Sequence, residues 1–402
     1  MGRRKKPGRT RGGGEAAGVP LPRPGGRTGA FWVLGCAALA LTALAYLHYS
    51  WWPQRKAEAE LALVRERAFF AFGSHVTADD FADLRPALDR FMADAQVRGA
   101  HVAYFLEGGG IEPPVDPATR RSYRPAVWSS RLTRDPVFAD RWLNTCKKEM
   151  RTFIDTVLSQ DRIDASKVHP DMAGFLAAQH AFLATHRERI ADIQFENLSV
   201  EDILADLRLQ VLQENSFLAY VRGRFAEYRN ALVEYQRTQS EWVTARDTAF
   251  VGQIARYLEK HPDRLVLTFR GSLHWPSTRR FGLRGELSPR TSNPEAEYGP
   301  ARVGMMRVMG ATLGQEEDMR VALAHVPGHL LQQYWMKGPK RWSGRQATDA
   351  VARVFNHPSF TAGRAEALSR HLSQFDWDDS LDPRYGEAVH RWLKQQGLLP
   401  PD

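Results

Sequence analysis

Only two cysteines, Cys36 and Cys146, occur in 402 residues. Cys36 lies inside an apolar run, so no disulfide framework can form, and a chain of this length buries enough surface to fold without one. Surplus charge is also missing from most of the chain. The formal charge is +9, but residues 1–29 hold eight basic groups (Arg3, Arg4, Lys5, Lys6, Arg9, Arg11, Arg23, Arg27) against Glu15, or +7, which leaves +2 for the other 373 residues. A near-neutral body has no basic face dense enough to displace counterions from phosphates, which excludes a nucleic-acid-binding domain. No internal repeat or heptad array is present, so solenoids and coiled coils are excluded as well. With 43% hydrophobic and 25% charged residues the composition is that of a globular protein.

Between Arg27 and Arg55 there is no Lys, Arg, Asp or Glu. The stretch AFWVLGCAALALTALAYLHYSWW, residues 30–52, is long enough to cross the roughly 30 Å hydrocarbon core as a helix. Phe31 and Trp32 at one end and Tyr46, Tyr49, Trp51 and Trp52 at the other resemble interfacial belts, and Pro53 ends the helix. The basic side comes first, so the positive-inside rule places residues 1–29 in the cytoplasm and the main domain across the membrane. Membrane lipid is therefore an expected partner of residues 30–52, and an Ala- and Arg-rich composition points to a bacterial inner membrane with a periplasmic domain. The competing reading is a cleaved signal peptide, since Ala43-Leu44-Ala45 has the small-x-small form of a cleavage site.

The Gly, Pro and Arg-rich tail has the composition of a disordered segment. Residues 53–67 predict a helical stalk. AFFAF (68–72) is an apolar run that stops at Gly73-Ser74-His75, and Thr77 caps a helix reaching about Arg98. VAYFL (102–106) ends at Glu107 and three glycines, and LVLTF (265–269) delivers Gly271-Ser272-Leu273-His274. Residues 137–258 read as almost continuously helical, a large helical insertion with a capping signature at Ser199-x-x-Asp202. Helical patterns return between 305 and 396. The fold class this implies is α/β: a central sheet with a helical insertion over 137–258 inside a domain spanning 68–290, a C-terminal helical region over 291–402, and one transmembrane helix in front.

Two of the three strands end in glycine followed by histidine, and the third ends in glutamate. Glycine lets the backbone turn off a strand end, so His75, Glu107 and His274 can point into one crevice where open α/β sheets place their sites. Two imidazoles and a carboxylate make a three-ligand set for a divalent metal with one position left to water. Without metal, one histidine acts as general base and Glu107 orients it. Arg246 can hold Glu107 ionised or stabilise an oxyanion, or else pair with Asp247 or Glu241 on a solvated helix face. Glu112 is a candidate second carboxylate. His325 and His329 flank Pro327-Gly328, which argues against the continuous helix of a zinc-peptidase motif, and His180 and His186 read as structural.

The segments FFAFGSHVTADDF (69–81), VAYFLEG (102–108), ARDTAFVGQI (245–254) and LTFRGSLHW (267–275) resemble the Tiki/TraB superfamily, which includes erythromycin-esterase-like and ChaN-like proteins. The resemblance covers about residues 65–285. It implies a mixed central sheet, and it carries the family's paired GxxH motifs, strand-end glutamate and helical arginine onto His75, Glu107, Arg246 and Gly271–His274. The first motif departs from the pattern, reading FGSH with Phe72 three positions before His75. What the resemblance implies is a hydrolase of peptide or ester bonds, with His75, Glu107 and His274 around Mn, Co or Zn, Glu107 and Arg246 in catalysis, and a peptide or small molecule as substrate. The alternatives are a haem or small-ligand binding protein with His75 or His274 as axial ligand, and a non-catalytic membrane assembly factor.

Overall fold

The computed structural model describes residues 52–73, 78–108, 114, 124–159, 170–271, 274–288, 323–337, 341–342, 344–357, 359–377 and 382–399. Residues 1–51, and with them the basic tail and nearly all of the expected membrane span, lie outside the described residues, as do His75 and Glu112. Among the described residues no helix is long and apolar enough to cross a membrane. The chain divides into two compact units, Met1–Glu58 and Ala59–Asp402.

The elements run α1 (Trp52–Arg67), β1 (Ala68–Gly73), α2 (Ala78–Val97), β2 (His101–Leu106), α3 (Pro125–Arg134), α4 (Pro136–Ser159), α5 (Pro170–Thr185), β3 (Ile190–Phe195), α6 (Val200–Val221), α7 (Phe225–Lys260), β4 (Arg264–Gly271), α8 (Trp275–Arg280) and β5 (Gly285–Leu287). Four further helices follow: α9 (His325–Lys337), α10 (Gly344–Asn356), α11 (Ala362–Leu372) and α12 (Pro383–Gln395). The five strands form one sheet in the order β3-β2-β4-β1-β5.

Two expectations need correction. The sheet is not mixed: β1/β4, β1/β5, β2/β3 and β2/β4 are all parallel, because helices carry the chain back across the sheet between successive strands. The helical stretch over 137–258 is interrupted by β3, whose sequence IADIQF forms a half-buried edge strand between two long helical regions. The continuous apolar runs of β1, β2 and β4 reflect burial on both faces. Leu265, Leu267 and Phe269 of β4 pack with Val102, Tyr104 and Leu106 under Phe81, Leu84 and Leu88 of α2 and Phe182 of α5. The alternate residues Val266, Phe70, Phe72, Ala103 and Phe105 pack on the opposite face against Phe250, Ile254 and Leu258 of α7.

Helix α6 starts as its sequence predicts. Ser199 N–H donates to Asp202 Oδ2 at 2.8 Å and Asp202 N–H donates to Ser199 Oγ at 3.1 Å, which satisfies two donors at the helix start. The C-terminal helices gather on the far part of α6 and the start of α7, where Phe217, Tyr220, Tyr228 and Leu232 share a core with Leu331, Trp335, Leu368 and Val389. Tyr220 Oη donates to Ala365 O at 3.0 Å, and Tyr228 Oη to Leu323 O at 3.2 Å. Pro327 and Gly328 do not break α9, because a proline in the first turn lacks an N–H that would have had no intrahelical acceptor anyway.

Candidate active site

Strand register brings the two motif glycines side by side. Gly73 at the end of β1 is the register partner of Gly271 at the end of β4. His274 precedes the first turn of α8 and is 3% exposed. Glu107 follows β2 directly, and strand alternation places it on the α7 side of the sheet with Arg270 of β4.

Glu107 is the centre of the arrangement. Its Oε2 accepts the Gly271 N–H at 2.7 Å, and its Oε1 lies 3.1 Å from His274 Nε2 and 3.5 Å from Arg246 Nη2. Behind the ring, His274 Nδ1 lies 2.6 Å from Asp247 Oδ1. Both ring nitrogens therefore face carboxylate oxygens. Both contacts are satisfied when each nitrogen carries a proton and both carboxylates are ionised, so the arrangement favours an imidazolium. Burial and Arg270 oppose that charge, but Glu107 and Asp247 outweigh them and raise the His274 pKa above its ordinary value.

A second layer locks the first. Glu196, immediately after β3, accepts Arg246 Nε at 2.8 Å and Arg246 Nη2 at 2.5 Å in a bidentate pair, and also Arg270 Nη2 at 3.2 Å. Arg270 Nη1 donates to Asp247 Oδ1 at 2.8 Å, and the Arg270 guanidinium sits 4.2 Å from the Phe250 ring centroid. Gly108 is held between these groups: its N–H donates to Glu196 Oε2 at 3.1 Å and its carbonyl accepts Arg246 Nη2 at 2.6 Å. A Cβ at Gly108 would lie 3.1 Å from the Leu198 side chain, so the backbone turns here at a point with little room. Burial works against the Arg246 charge, and Glu107, Glu196 and Asp247 more than restore it, keeping the guanidinium's pKa above its usual range. Three carboxylates thus face two guanidiniums and one imidazolium, so the buried network is charge-balanced.

Of the residues expected from sequence, Glu107, Arg246 and His274 come together. Arg246 is not on a solvated helix face. It is 6% exposed and committed to Glu196 and Gly108, with its guanidinium 5.2 Å from the Trp242 ring. His186 is held 3.0 Å from Asp89, far along the chain from this network, and His325 and His329 pack against Phe217. Sequence reasoning missed Glu196, Arg270 and the role of Asp247. One signal was present: IADIQFE ends in glutamate as VAYFLE does, an acid at the same terminal place.

Among the described residues no group of three or more His, Cys, Asp or Glu side chains is arranged to hold a metal. With its Nε2 proton released, His274 could share a divalent ion with Glu107 Oε1, because atoms 3.1 Å apart can both lie about 2.0–2.2 Å from one metal. Asp247 on Nδ1 is the outer carboxylate that metal-bound histidines commonly have. In comparisons with known proteins, no family model, curated protein or solved structure matches the chain.

Proposed function

We propose that the chain is a Tiki/TraB-like hydrolase of peptide or ester bonds, anchored by residues 30–52 with its N-terminus cytoplasmic and its main domain across the membrane. The observation that carries this reading is the Asp247–His274–Glu107 line at the carboxyl ends of parallel strands, the place where open α/β sheets bind and transform their ligands. Glu107 is the most accessible charged group of the line, its side chain 14% exposed against 4% for His274 and 2% for Asp247. Its carboxylate takes a proton from a water molecule whose oxygen adds to the substrate carbonyl carbon. The C–N or C–O bond then breaks, and Glu107 returns the proton to the leaving group. His274, fixed by Asp247, stabilises the charge on Glu107 and on the developing oxyanion. Arg246 is a positioning residue, since its hydrogen bonds hold the Gly108 turn and Glu196 rather than open space.

Glu107 and His274, joined by His75, would hold a divalent Mn, Co or Zn ion, which when bound lowers the pKa of a coordinated water. The test is a panel of peptide and ester substrates with elemental analysis, run on the full chain and on His75→Ala and His274→Ala. Activity and bound metal lost together in both variants support the proposal. Activity unchanged in both would refute it.

A further inference from the structure

Residues 124–151, which hold α3 and the first part of α4, carry seven basic groups against Asp135, Asp140 and Glu149, or +4, so the rest of the chain beyond the N-terminal tail sums to −2. On α3, Arg124, Val127, Arg131 and Arg134 recur at helical spacing, and on α4 Val137, Arg141 and Lys148 do the same. Every one of these side chains is exposed, Val127 at 55% and Val137 at 66%. The opposite faces are buried: Trp128, Leu132, Ala139 and Leu143 pack on Ile203 and Leu207 of α6. Arg131 joins the two helices, its guanidinium 5.3 Å from the Trp128 ring centroid and 4.4 Å from that of Phe138. Arg124, Arg134, Arg141 and Lys148 make no ion pair among the described residues. Asp135 is spent on the cap of α4, where it accepts the Phe138 N–H at 2.9 Å.

Contacts along α4 place this corner beyond the carboxyl ends of the strands. Lys147 Nζ donates to Asn197 Oδ1 at 2.7 Å just past β3, and Arg151 Nη1 donates to Ile193 O at 3.1 Å within it, so α4 runs back along β3 from its carboxyl end. At a rise of 1.5 Å per residue, Val137 stands about 15 Å further out along the helix than Lys147. Helix α1 points the same way. Its last residue, Arg67, donates to the carbonyls of His261 and Pro262 at the foot of β4, at 3.0 and 2.7 Å, while a Cβ on Gly252 would lie 3.9 Å from Glu60 Oε2. From Ala59 onward α1 therefore descends beside α7 toward the amino ends of the strands, and the chain enters this unit from the side on which Glu107 and His274 lie.

Exposed valines set among unpaired arginines complement a surface that is anionic outside and apolar beneath. Lipid phosphates pair with the guanidiniums, while the valines and the aliphatic arms of the arginines reach the acyl boundary. We propose that the α3–α4 corner docks on anionic lipid bilayer, the same membrane that holds residues 30–52. Docked in this way, the strand ends that carry Glu107 and His274 face the bilayer. The proposal rests on the anchor in the reading above and not on its hydrolase chemistry.

The experiment reads bilayer contact position by position on the full chain, reconstituted into vesicles of phosphatidylcholine or of an equal mixture of phosphatidylcholine and phosphatidylglycerol. In a Cys36→Ala/Cys146→Ala background an environment-sensitive fluorophore is attached through Val127→Cys, Val137→Cys or Val97→Cys, and its quenching by lipids spin-labelled at the headgroup is measured. Val97 is the control, because it is apolar and 88% exposed but closes α2 just before β2, at the amino ends of the strands. Labels at 127 and 137 are expected to be quenched in the mixed vesicles, and the label at 97 in neither kind. Arg124→Gln/Arg134→Gln/Arg141→Gln should lower the docked population about tenfold or more and bring both labels to their level in phosphatidylcholine alone. Melting curves of each variant separate lost docking from lost folding, and extraction with alkaline carbonate tests the anchor by itself. A chain stripped by carbonate would overturn the anchor and this proposal with it. A resistant chain with equal quenching at all three positions, or with quenching that persists in the folded triple variant or without phosphatidylglycerol, would overturn the docking alone.

Discussion

Replacing Glu196 by glutamine removes one charge from the buried network and almost nothing from its volume. In the native arrangement Glu196 receives Arg246 Nε at 2.8 Å, Arg246 Nη2 at 2.5 Å, Arg270 Nη2 at 3.2 Å and the Gly108 N–H at 3.1 Å. Glutamine offers one acceptor oxygen and turns the other position into a donor, so it faces Arg246 or Gly108 donor against donor. The count of three carboxylates against three cations becomes two against three. Breaking one partner of a buried ion pair costs about 3–5 kcal/mol. With a urea m-value of about 3 kcal/mol/M, the unfolding midpoint should fall by about 1–1.7 M. The double variant Glu196→Leu/Arg246→Met leaves two carboxylates, Arg270 and His274, which is balanced again, so it should unfold at higher urea than Glu196→Gln. A midpoint within about 0.3 M of wild type for Glu196→Gln, or a double variant weaker than the single, would refute the idea that charge balance holds this site together.

Burial and the neighbouring His329 lower the His325 pKa to about 4, below its ordinary value of about 6.5. The unfolded chain therefore takes up this proton first, so stability is complete above pH 6.5 and declines as pH falls through that value toward 4, by at most about 3 kcal/mol. Unfolding measured across pH 4–8 should show this decline flattened in His325→Leu, and an identical slope would contradict it. Gly386→Ala places a Cβ 2.5 Å from Leu330 O and 2.7 Å from Tyr334 Cβ, forcing α9 and α12 apart, and should cost about 3 kcal/mol in chemical denaturation. Gly108→Ala meets only the Leu198 side chain and Glu196 O, at 3.1 and 3.4 Å, so it should cost about 1 kcal/mol of stability yet displace Glu107 enough to lower hydrolysis. The anchor reading predicts that the intact mass of membrane-extracted protein includes residues 1–45, and a mass without them would mark a cleaved signal peptide.

The strands that carry Glu107 and His274 were legible because both are uninterrupted apolar runs, buried on two faces and ending in glycine or an acid. β3 was not: as an edge strand with no fully buried position it lacks such a run, and its short alternation Asp192-Ile193-Gln194-Phe195 is flanked by two long helical patterns. Losing β3 also lost Glu196, whose role depends on a neighbour in space and not in sequence. Arg270 sits within a strand that is otherwise read by its apolar residues, and its burial is explained only when α7 brings Asp247 against it. Parallel pairing escaped for the same reason, since strand direction follows from how the helices return the chain across the sheet.

In the proposed hydrolysis Glu107, held against His274, is the group that handles the proton. The most direct measurement is kcat/KM on the best substrate of the peptide and ester panel, for wild type and Glu107→Gln, with melting curves recorded on both. Glutamine retains an oxygen for the Gly271 N–H but cannot take a proton, so the expected outcome is a fall of about 100-fold or more in a protein that still folds. An unchanged kcat/KM in folded Glu107→Gln would show that the proton passes through another group.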